Sequence, residues 1–229
     1  MKVSALIPVK GFGNAKQRLS PLLDRAERET LAETMFRDVL RQVLGARGLA
    51  ETVVVTGNDE VCTIASSLGA RVIRQQDEKG ETEAVNFARR ELTAMGREAV
   101  LIIPGDMPLV RSSDIEQLLG EVPEGARPPF ALLVPSHDRM GTNALLLAPP
   151  NVIRLRFGYD SFSYHMNQVR AQGLPIRFIE NERIGLDIDE PRDLERFLAY
   201  DVAEGEAGRA ARRMIAEHQV QKKRGVGSV

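Results

Sequence analysis

Three aspartates carry the most specific chemical signal in this sequence. Asp106 follows the apolar run Ala99–Ile103, after Pro104 and Gly105. Such a run is typical of a strand buried on both faces of a parallel sheet, and open α/β sheets bind their ligands at the carboxyl ends of such strands. From this stretch alone, an aspartate that only shapes a turn is an equal alternative.

The other two, Asp187 and Asp189, alternate with apolar residues in the stretch Leu186–Asp189. In an extended segment this alternation puts both carboxylates on one face. Carboxylates that meet need counter-charge, and Mg²⁺ typically binds through one or two carboxylates and the phosphates of a substrate. Asp189 could also cap the helix that Pro191 begins, whereas Asp187 has no such alternative role.

A basic loop follows the predicted first strand, Lys2–Val9. It carries Lys10, Lys16 and Arg18, with two glycines between the lysines. Backbone N–H groups in a loop of this kind can bind phosphates. The loop matches neither the Walker motif nor the dinucleotide fingerprint, so on its own a solvated basic loop is the better interpretation.

Strands and helices alternate through the first half of the chain. The predicted strands are 2–9, 51–56, 71–74 and 99–103, and the predicted helices are 24–46, 57–68, 81–95 and 113–120, the last with a capping box from Ser113 to Glu116. This alternation predicts an α/β fold with a doubly wound, mostly parallel sheet and helices on both faces.

The second half is less regular. Strands 130–134 and 143–148, joined by a polar loop, predict an antiparallel excursion at the sheet edge. A helix introduced by Phe157–Ser161 is expected to end at Gln172, 176–179 is strand-like, and Pro191 begins a further helix. We expect a single domain over residues 1–200, and a charged tail over 201–229 that is a solvated helix fraying into disorder.

Composition excludes several classes of protein. The net charge of −1 gives no overall attraction to nucleic acid or to an anionic membrane, and no apolar run reaches membrane-spanning length. The single cysteine, Cys62, excludes an intrachain disulfide, and the start of the chain does not resemble a signal peptide, so a cytoplasmic protein is expected. The three histidines lack zinc-ligand spacing, and no serine or cysteine triad is apparent.

Five groups of residues occur in an order typical of one family. They are Pro8–Lys10 with Ala15–Leu19, Pro104–Leu109, Pro135–Arg139 with Gly141–Leu145, Phe157–Gly158 with Asp160–Phe162, and Leu186–Pro191. Over about residues 1–200 the sequence therefore resembles the 2-phospho-L-lactate guanylyltransferase family, which makes the phospho-organic-acid end of coenzyme F-420. Its broader kin are nucleotidyltransferases with a nucleotide-diphospho-sugar transferase-like sheet, including the molybdenum-cofactor guanylyltransferases.

The resemblance implies a Mg²⁺-dependent enzyme that transfers GMP from GTP to the phosphate of a small phospho-carboxylic acid and releases pyrophosphate. It implies that Asp106, Asp187 and Asp189 hold the metal and, with Lys16, carry catalysis. The implied nucleotide-binding residues are Pro8, Lys10, Lys16, Arg18, Gly80 and Thr82, and the implied acid-binding residues are Thr142, Gly158 and Ser161.

Some alternatives stay open at this stage. Ser161 is also a favoured residue for a helix N-cap, and Gly80-Glu81-Thr82 stands where the family usually has Gly-Leu-Asn. The acceptor could be 2-phospho-L-lactate, phosphoenolpyruvate or 3-phosphoglycerate. Alternative functions are a nucleotidyltransferase for a sugar phosphate or a molybdopterin, and a non-catalytic nucleotide-binding module. A homodimer is what the resemblance implies.

Overall fold

The computed structural model describes residues 1–75, 80–122, 129–201 and 205–226, with side chains described as far as residue 218. Within these ranges six strands form one sheet: β1 Val3–Pro8, β2 Leu49–Thr56, β3 Arg71–Arg74, β4 Ala99–Ile102, β5 Phe130–Pro135 and β6 Thr142–Ala148. The helices of the same ranges are α1 Arg25–Gly45, α2 Asp59–Ser67, α3 Glu81–Ala94, α4 Ser112–Gly120, α5 Ser161–Ala171, α6 Pro191–Ala199 and α7 Glu206–Val226.

The strand order is β3-β2-β1-β4-β6-β5. Strands β1 to β4 pair in parallel, whereas β6 lies antiparallel between β4 and β5. The predicted mostly parallel sheet with an antiparallel excursion is therefore confirmed. Because the chain leaves β1 toward β2 and later returns to β4 on the other side, the carboxyl ends of β1 and β4 form the switch point where ligands of open α/β sheets bind.

Apolar side chains leave both faces of the sheet to pack under helices. Ala5 and Ile7 of β1 contact the cluster that contains Phe36 of α1, whereas Leu6 belongs to the cluster that contains Leu92 of α3. All five of these residues are buried. This two-sided burial explains why β1 and β4 are continuous apolar runs, and it holds both strand ends in fixed positions.

A third cluster supports the segment that carries the later aspartates. Leu186 and Ile188 are buried there with Met35 of α1, Phe197 of α6 and Met214 of α7. Because side chains alternate along an extended segment, burying Leu186 and Ile188 in this cluster turns the carboxylates of the alternating aspartates to the opposite face of the segment. The predicted alternation is therefore produced by packing of α1, α6 and α7.

The prediction of a solvated helix after residue 200 is wrong for the inner face of α7. That helix packs along α1, and Ala207 and Ala211 are fully buried. Alanines four residues apart leave room for two helices to approach closely, so few large apolar residues are needed for burial. The division of the chain at residue 200 stays a prediction.

Two smaller expectations are also corrected. Helix α4 begins at Ser112 rather than with a Ser113–Glu116 capping box, because Glu116 is bound by Arg47 and the Arg111 N–H donates to Asp114 instead. Residues 176–179 form one bridge, Leu133 to Phe178, rather than a strand. Among the described residues, none of the helices combines the length and apolar character needed to cross a membrane.

Asp38 fastens the start of α7, which makes it a test of this packing. Its carboxylate accepts the N–H groups of Glu206 at 3.1 Å and Ala207 at 2.9 Å. We expect Asp38→Ala to lower the free energy of unfolding by about 1 kcal/mol, because two helix-terminal donors lose their acceptor. Urea unfolding would measure this, with Glu217→Ala on the exposed face of α7 as the control; equal stability of the two variants would contradict the assignment.

Candidate active site

Asp106 lies at the switch point, directly beyond β4. The Ile103 N–H still donates to Leu6 of β1 at 3.0 Å, and the chain then turns away through Pro104 and Gly105. A Cβ at Gly105 would lie 3.2 Å from the ring of Phe36, so a larger residue there would require this ring to shift by a few tenths of an ångström. The sheet thus delivers the Asp106 carboxylate, half-buried, to the edge where ligands bind.

Lys16 joins two of the three predicted aspartates. Its Nζ lies 2.8 Å from Oδ2 of Asp106 and 2.8 Å from Oδ1 of Asp189. Only 9% of the lysine side chain is exposed. Burial lowers the pKa of Lys16, but the two carboxylates outweigh this effect and hold the pKa above its ordinary value, so the ammonium stays charged.

The third aspartate lies beside this pair. The Ile188 N–H donates to the backbone oxygen of Asp106 at 3.2 Å, and Oδ1 of Asp187 accepts a hydrogen bond from the Asn143 amide at 3.1 Å. Burial and the charge of Asp106 raise the pKa of Asp187 to about 6. The structure therefore brings all three predicted aspartates to one place.

Asp189 is affected differently. Burial alone would raise the pKa of Asp189, but attraction to Lys16 and the hydrogen bond from it outweigh burial, so the pKa lies below its ordinary value. Its backbone N–H donates to Asp193, which caps α6. Asp189 is therefore not the cap of this helix, and Oδ1 of its carboxylate accepts a hydrogen bond from Lys16.

The oxygens of this cluster are of the type that binds hard metal ions. Oδ1 of Asp106 is buried and has no hydrogen-bond partner in the described part of the chain. Across the described residues, no three histidine, cysteine or acidic side chains are grouped closely enough to hold a metal ion by themselves. The donor set, oxygen only and with one oxygen unpartnered, fits a hard cation that shares its coordination with substrate phosphates.

A cleft of about 660 Å³ opens beside the cluster, a size typical of small-molecule sites. Six of the predicted residues line it: Pro8, Lys10, Lys16, Gly80, Asp106 and Asp189. Arg18 lies outside the lining, on the surface, 3.4 Å from Glu190. Thr82 instead accepts the Phe157 N–H at 3.0 Å, so it ties α3 to the segment before α5.

Sequence reasoning assigned no binding role to two residues of this region. Glu81 lines the cleft, and burial together with the charge of Asp106 raises its pKa to about 7. Asn143 holds Asp187 and also donates to the backbone oxygen of Ile184 at 2.9 Å. The only signal for Asn143 is its place beside Thr142 in one of the motifs of the resemblance.

The predicted acid-binding residues form a second group. The Thr142 N–H donates to Oγ of Ser161 at 3.0 Å, and the Ser161 N–H donates to the backbone oxygen of Gly158 at 3.2 Å. Gly158 has φ +103°, a backbone region that favours glycine. The N-cap position of α5 belongs to Asp160, so the alternative that Ser161 is the cap is wrong.

A buried histidine supports this second group. Nδ1 of His165 lies 2.9 Å from Oγ1 of Thr142, and Nε2 lies 3.2 Å from the Arg156 nitrogen. Burial, followed by the charges of Arg89 and Arg156, lowers the pKa of His165 to about 4. The rings of Phe157 and Tyr164 contact the imidazole edge-on and help to bury it.

The low pKa of His165 makes stability depend on pH. The unfolded chain binds this proton near pH 6.5, whereas the folded ring binds it only near pH 4. The stability that neutral His165 contributes is therefore complete above pH 6.5 and is lost as the pH falls from 6.5 toward 4. We expect a loss of roughly 2 kcal/mol by about pH 5.

Urea unfolding at about pH 7.5 and about pH 5 would measure this loss, and His165→Asn is the non-titrating control. The variant should lose less stability on acidification by that same amount. Parallel losses in the two proteins would contradict the prediction.

Comparison with known proteins extends these observations. The family model described as "Guanylyl transferase CofC like" matches residues 3–215. A phosphoenolpyruvate guanylyltransferase of Rubrobacter xylanophilus is 37% identical over 199 residues, which cover 87% of this chain and 95% of that protein.

Two further relatives are guanylyltransferases named after other phosphorylated acids. A 2-phospho-L-lactate guanylyltransferase of Methanothermobacter thermautotrophicus is 32% identical over 200 residues, 87% of this chain and 86% of the relative. A 3-phospho-D-glycerate guanylyltransferase of Phenylobacterium zucineum is 31% identical over 227 residues, 93% of this chain and 95% of the relative.

Among solved structures, a Desulfovibrio desulfuricans protein assigned to the nucleotide-diphospho-sugar transferases superposes with a TM-score of 0.75. The match covers 95% of this chain and 98% of that one at 18% identity, so it shows a shared fold. The extent of the family match and the three named relatives place the chain in the CofC-like guanylyl transferase family, a family of nucleotidyltransferases.

Proposed function

We propose that this protein is a magnesium-dependent guanylyltransferase that transfers GMP from GTP to the phosphate of a small phosphorylated carboxylic acid. The observation that carries the proposal is the buried Lys16 ammonium, 2.8 Å from both Asp106 and Asp189 at the edge of the cleft. A cation fixed beside an open cleft is suited to a polyanionic substrate. We place the reaction in coenzyme F-420 biosynthesis, the role to which the family resemblance points.

GTP is proposed to bind in the cleft beside Lys16. Lys10 and Gly80 line the same space, and the loop between Lys10 and Lys16 offers backbone N–H groups. A lysine and loop amides are the groups that proteins use to bind phosphates. Lys16 would meet the triphosphate without moving far, because its ion pairs already hold it in place.

The metal is proposed to bind at Asp106, Asp187 and Asp189. Two of these carboxylates pair with the single Lys16 ammonium, and Asp187 lies beside them on the Asn143 amide. The buried Oδ1 of Asp106 has no partner among the described residues, which supports a cation-binding role. When bound, Mg²⁺ would neutralise phosphate charge and polarise a phosphoryl oxygen.

The acid is proposed to bind at Thr142, Gly158 and Ser161. Asn143 couples this group to the aspartates, because it follows Thr142 in the chain and donates to Asp187. The named relatives act on phosphoenolpyruvate, 2-phospho-L-lactate or 3-phospho-D-glycerate, which makes these three acids the candidates. All three carry a phosphate and a carboxylate, so the site must bind a compact polyanion.

In the proposed reaction the protein side chains position the two substrates and form no covalent bond with them. An oxygen of the acid's phosphate forms a bond to the α-phosphorus of GTP, and the bond from that phosphorus to the pyrophosphate oxygen breaks. The leaving pyrophosphate takes the electron pair. Because the attacking phosphate is already ionised at neutral pH, no general base is required. The Lys16 ammonium would offset negative charge, the hydroxyls of Thr142 and Ser161 would donate hydrogen bonds, and together these groups would align the two polyanions.

Pyrophosphate release tests the proposal directly. The purified protein would be incubated with GTP and Mg²⁺ and with each of the three acids in turn, with ATP and CTP as nucleotide controls. We expect release that requires GTP, Mg²⁺ and one of the acids. No release with any acid would exclude this function and favour either another acceptor or a nucleotide-binding module. Equal release without acid would also exclude it, because water rather than the acid would then be the acceptor.

A further inference from the structure

We propose that His165 is a positioning residue. It orients the Thr142 hydroxyl so that the proton of this hydroxyl points to the phosphorylated acid that receives GMP. The inference rests on the proposed function, because Thr142 is taken as part of the acid site. His165 itself touches neither proposed substrate. It acts through the hydrogen bond between its Nδ1 and Oγ1 of Thr142.

The first step is the position of the proton on the imidazole. The Arg156 N–H points at Nε2 of His165 from 3.2 Å, so Nε2 must accept a hydrogen bond. In the neutral ring the proton is then on Nδ1, which lies 2.9 Å from Oγ1 of Thr142. A backbone amide cannot exchange the roles of donor and acceptor, so the ring has one tautomer in the folded protein.

The second step is the direction of the hydroxyl proton. Since Nδ1 donates, Oγ1 of Thr142 is the acceptor, and its own proton must be directed elsewhere. Ser161 is arranged in the same way, because its Oγ accepts the Thr142 N–H at 3.0 Å. Neither hydroxyl donates a hydrogen bond to another described residue, and both side chains are buried.

Two buried hydroxyls that each accept one internal hydrogen bond and keep their protons available make a site for an anion. A hydroxyl without such a partner would rotate freely, and in some orientations its oxygen lone pairs would face the anion and repel it. A fixed donor within the protein, such as Nδ1–H of His165, holds those lone pairs on the protein side. His165 is therefore expected to affect binding of the acid and not of GTP. Its neutrality at pH 7 keeps the Arg156 contact, and with it the tautomer, intact.

Two amide variants separate this role from simple packing. Asparagine places its amide near the Nδ1 position, so His165→Asn can still donate to Thr142. Glutamine reaches only the Nε2 position, so His165→Gln loses that donor. We expect His165→Gln to raise KM for phosphoenolpyruvate about tenfold, His165→Asn to stay within about threefold, and KM for GTP to be unchanged in both. Equal effects of the two variants, or a matching change in KM for GTP, would overturn the proposal.

A double-mutant cycle covers the case in which both variants are destabilised. Thr142→Val removes the hydroxyl while keeping the shape of the side chain. In that background His165→Gln should cause no further rise in KM for the acid, because the group through which it acts is gone. Additive effects in the double variant would show that His165 acts by another route.

One measurement does not depend on turnover. Nitrogen-15 NMR of the histidine side chains reports which ring nitrogen carries the proton, and a proton on Nε2 of His165 would overturn the proposal. Calorimetric binding of phosphoenolpyruvate gives the second readout. If the wild-type protein binds this acid but releases no pyrophosphate, the proposed function fails, and the same difference between the Asn and Gln variants must then appear in Kd. An enzyme that neither binds nor converts any of the acids overturns both.

Discussion

Asp106→Asn is expected to abolish guanylyl transfer while the protein stays folded. Asparagine keeps the size of the side chain but removes its negative charge and one of its two oxygens, so the amide cannot both accept from Lys16 and offer an oxygen to the metal. Loss of one preorganised charge at a phosphoryl-transfer site lowers kcat by about a thousandfold or more. Initial rates of pyrophosphate release under saturating GTP would measure the effect.

The matched control for this change is Asp59→Asn. Asp59 is an exposed carboxylate at the start of α2 that pairs with Arg74 and does not line the cleft. Its replacement should leave the rate within about twofold of the wild type. Thermal unfolding of both variants must stay close to that of the wild type for the comparison to hold. A near-normal rate for Asp106→Asn with GTP and Mg²⁺ would remove Asp106 from the metal site.

Lys16→Met is expected to have the second-largest effect. Methionine occupies a similar volume but leaves Asp106 and Asp189 beside each other without the ammonium that lies between them. We expect kcat/KM for GTP to fall by about a hundredfold to a thousandfold, because the lost charge would meet the triphosphate both before and during transfer. Steady-state kinetics at varied GTP concentration would measure this ratio.

The free energy of unfolding distinguishes the structural role of Lys16, its ion pairs with Asp106 and Asp189, from its proposed role in binding the triphosphate. Its partners are about a third and a half exposed, so water screens the repulsion between them, and the variant should unfold only about 1 to 2 kcal/mol more easily. Lys10→Met is the matched control, since Lys10 also lines the cleft, but in the described contacts it forms no ion pair. A larger loss of activity in Lys10→Met than in Lys16→Met would reassign the phosphate-binding lysine.

Much of the fold follows from local pattern. The apolar runs of β1 and β4 and the residue patterns that predict α1 and α2 act over a few residues, and the structure has each of these elements within about two residues of its predicted place. The position of Asp106 after a buried strand likewise required no more than the order of residues. These features could be predicted because the periodicity of hydrophobic residues depends only on near neighbours in the chain.

The features that could not be read from the sequence depend on residues far apart in it. Lys16 meets partners 90 and 173 residues away, and Asn143 reaches Asp187 across 44 residues. The same applies to Thr82, whose oxygen turns to Phe157 rather than into the cleft. These long-range contacts depend on the order of the strands in the sheet, and no local sequence pattern determines that order uniquely.

The α/β sheet, its alternating helices and the three candidate carboxylates could be predicted from the order of residues alone. That Lys16 pairs with two of these carboxylates, that α7 packs against α1, and that His165 contacts Thr142 became apparent only in the folded chain. The reason is physical: short-range preferences select the elements, whereas the burial of charged and polar groups depends on which elements finally pack together.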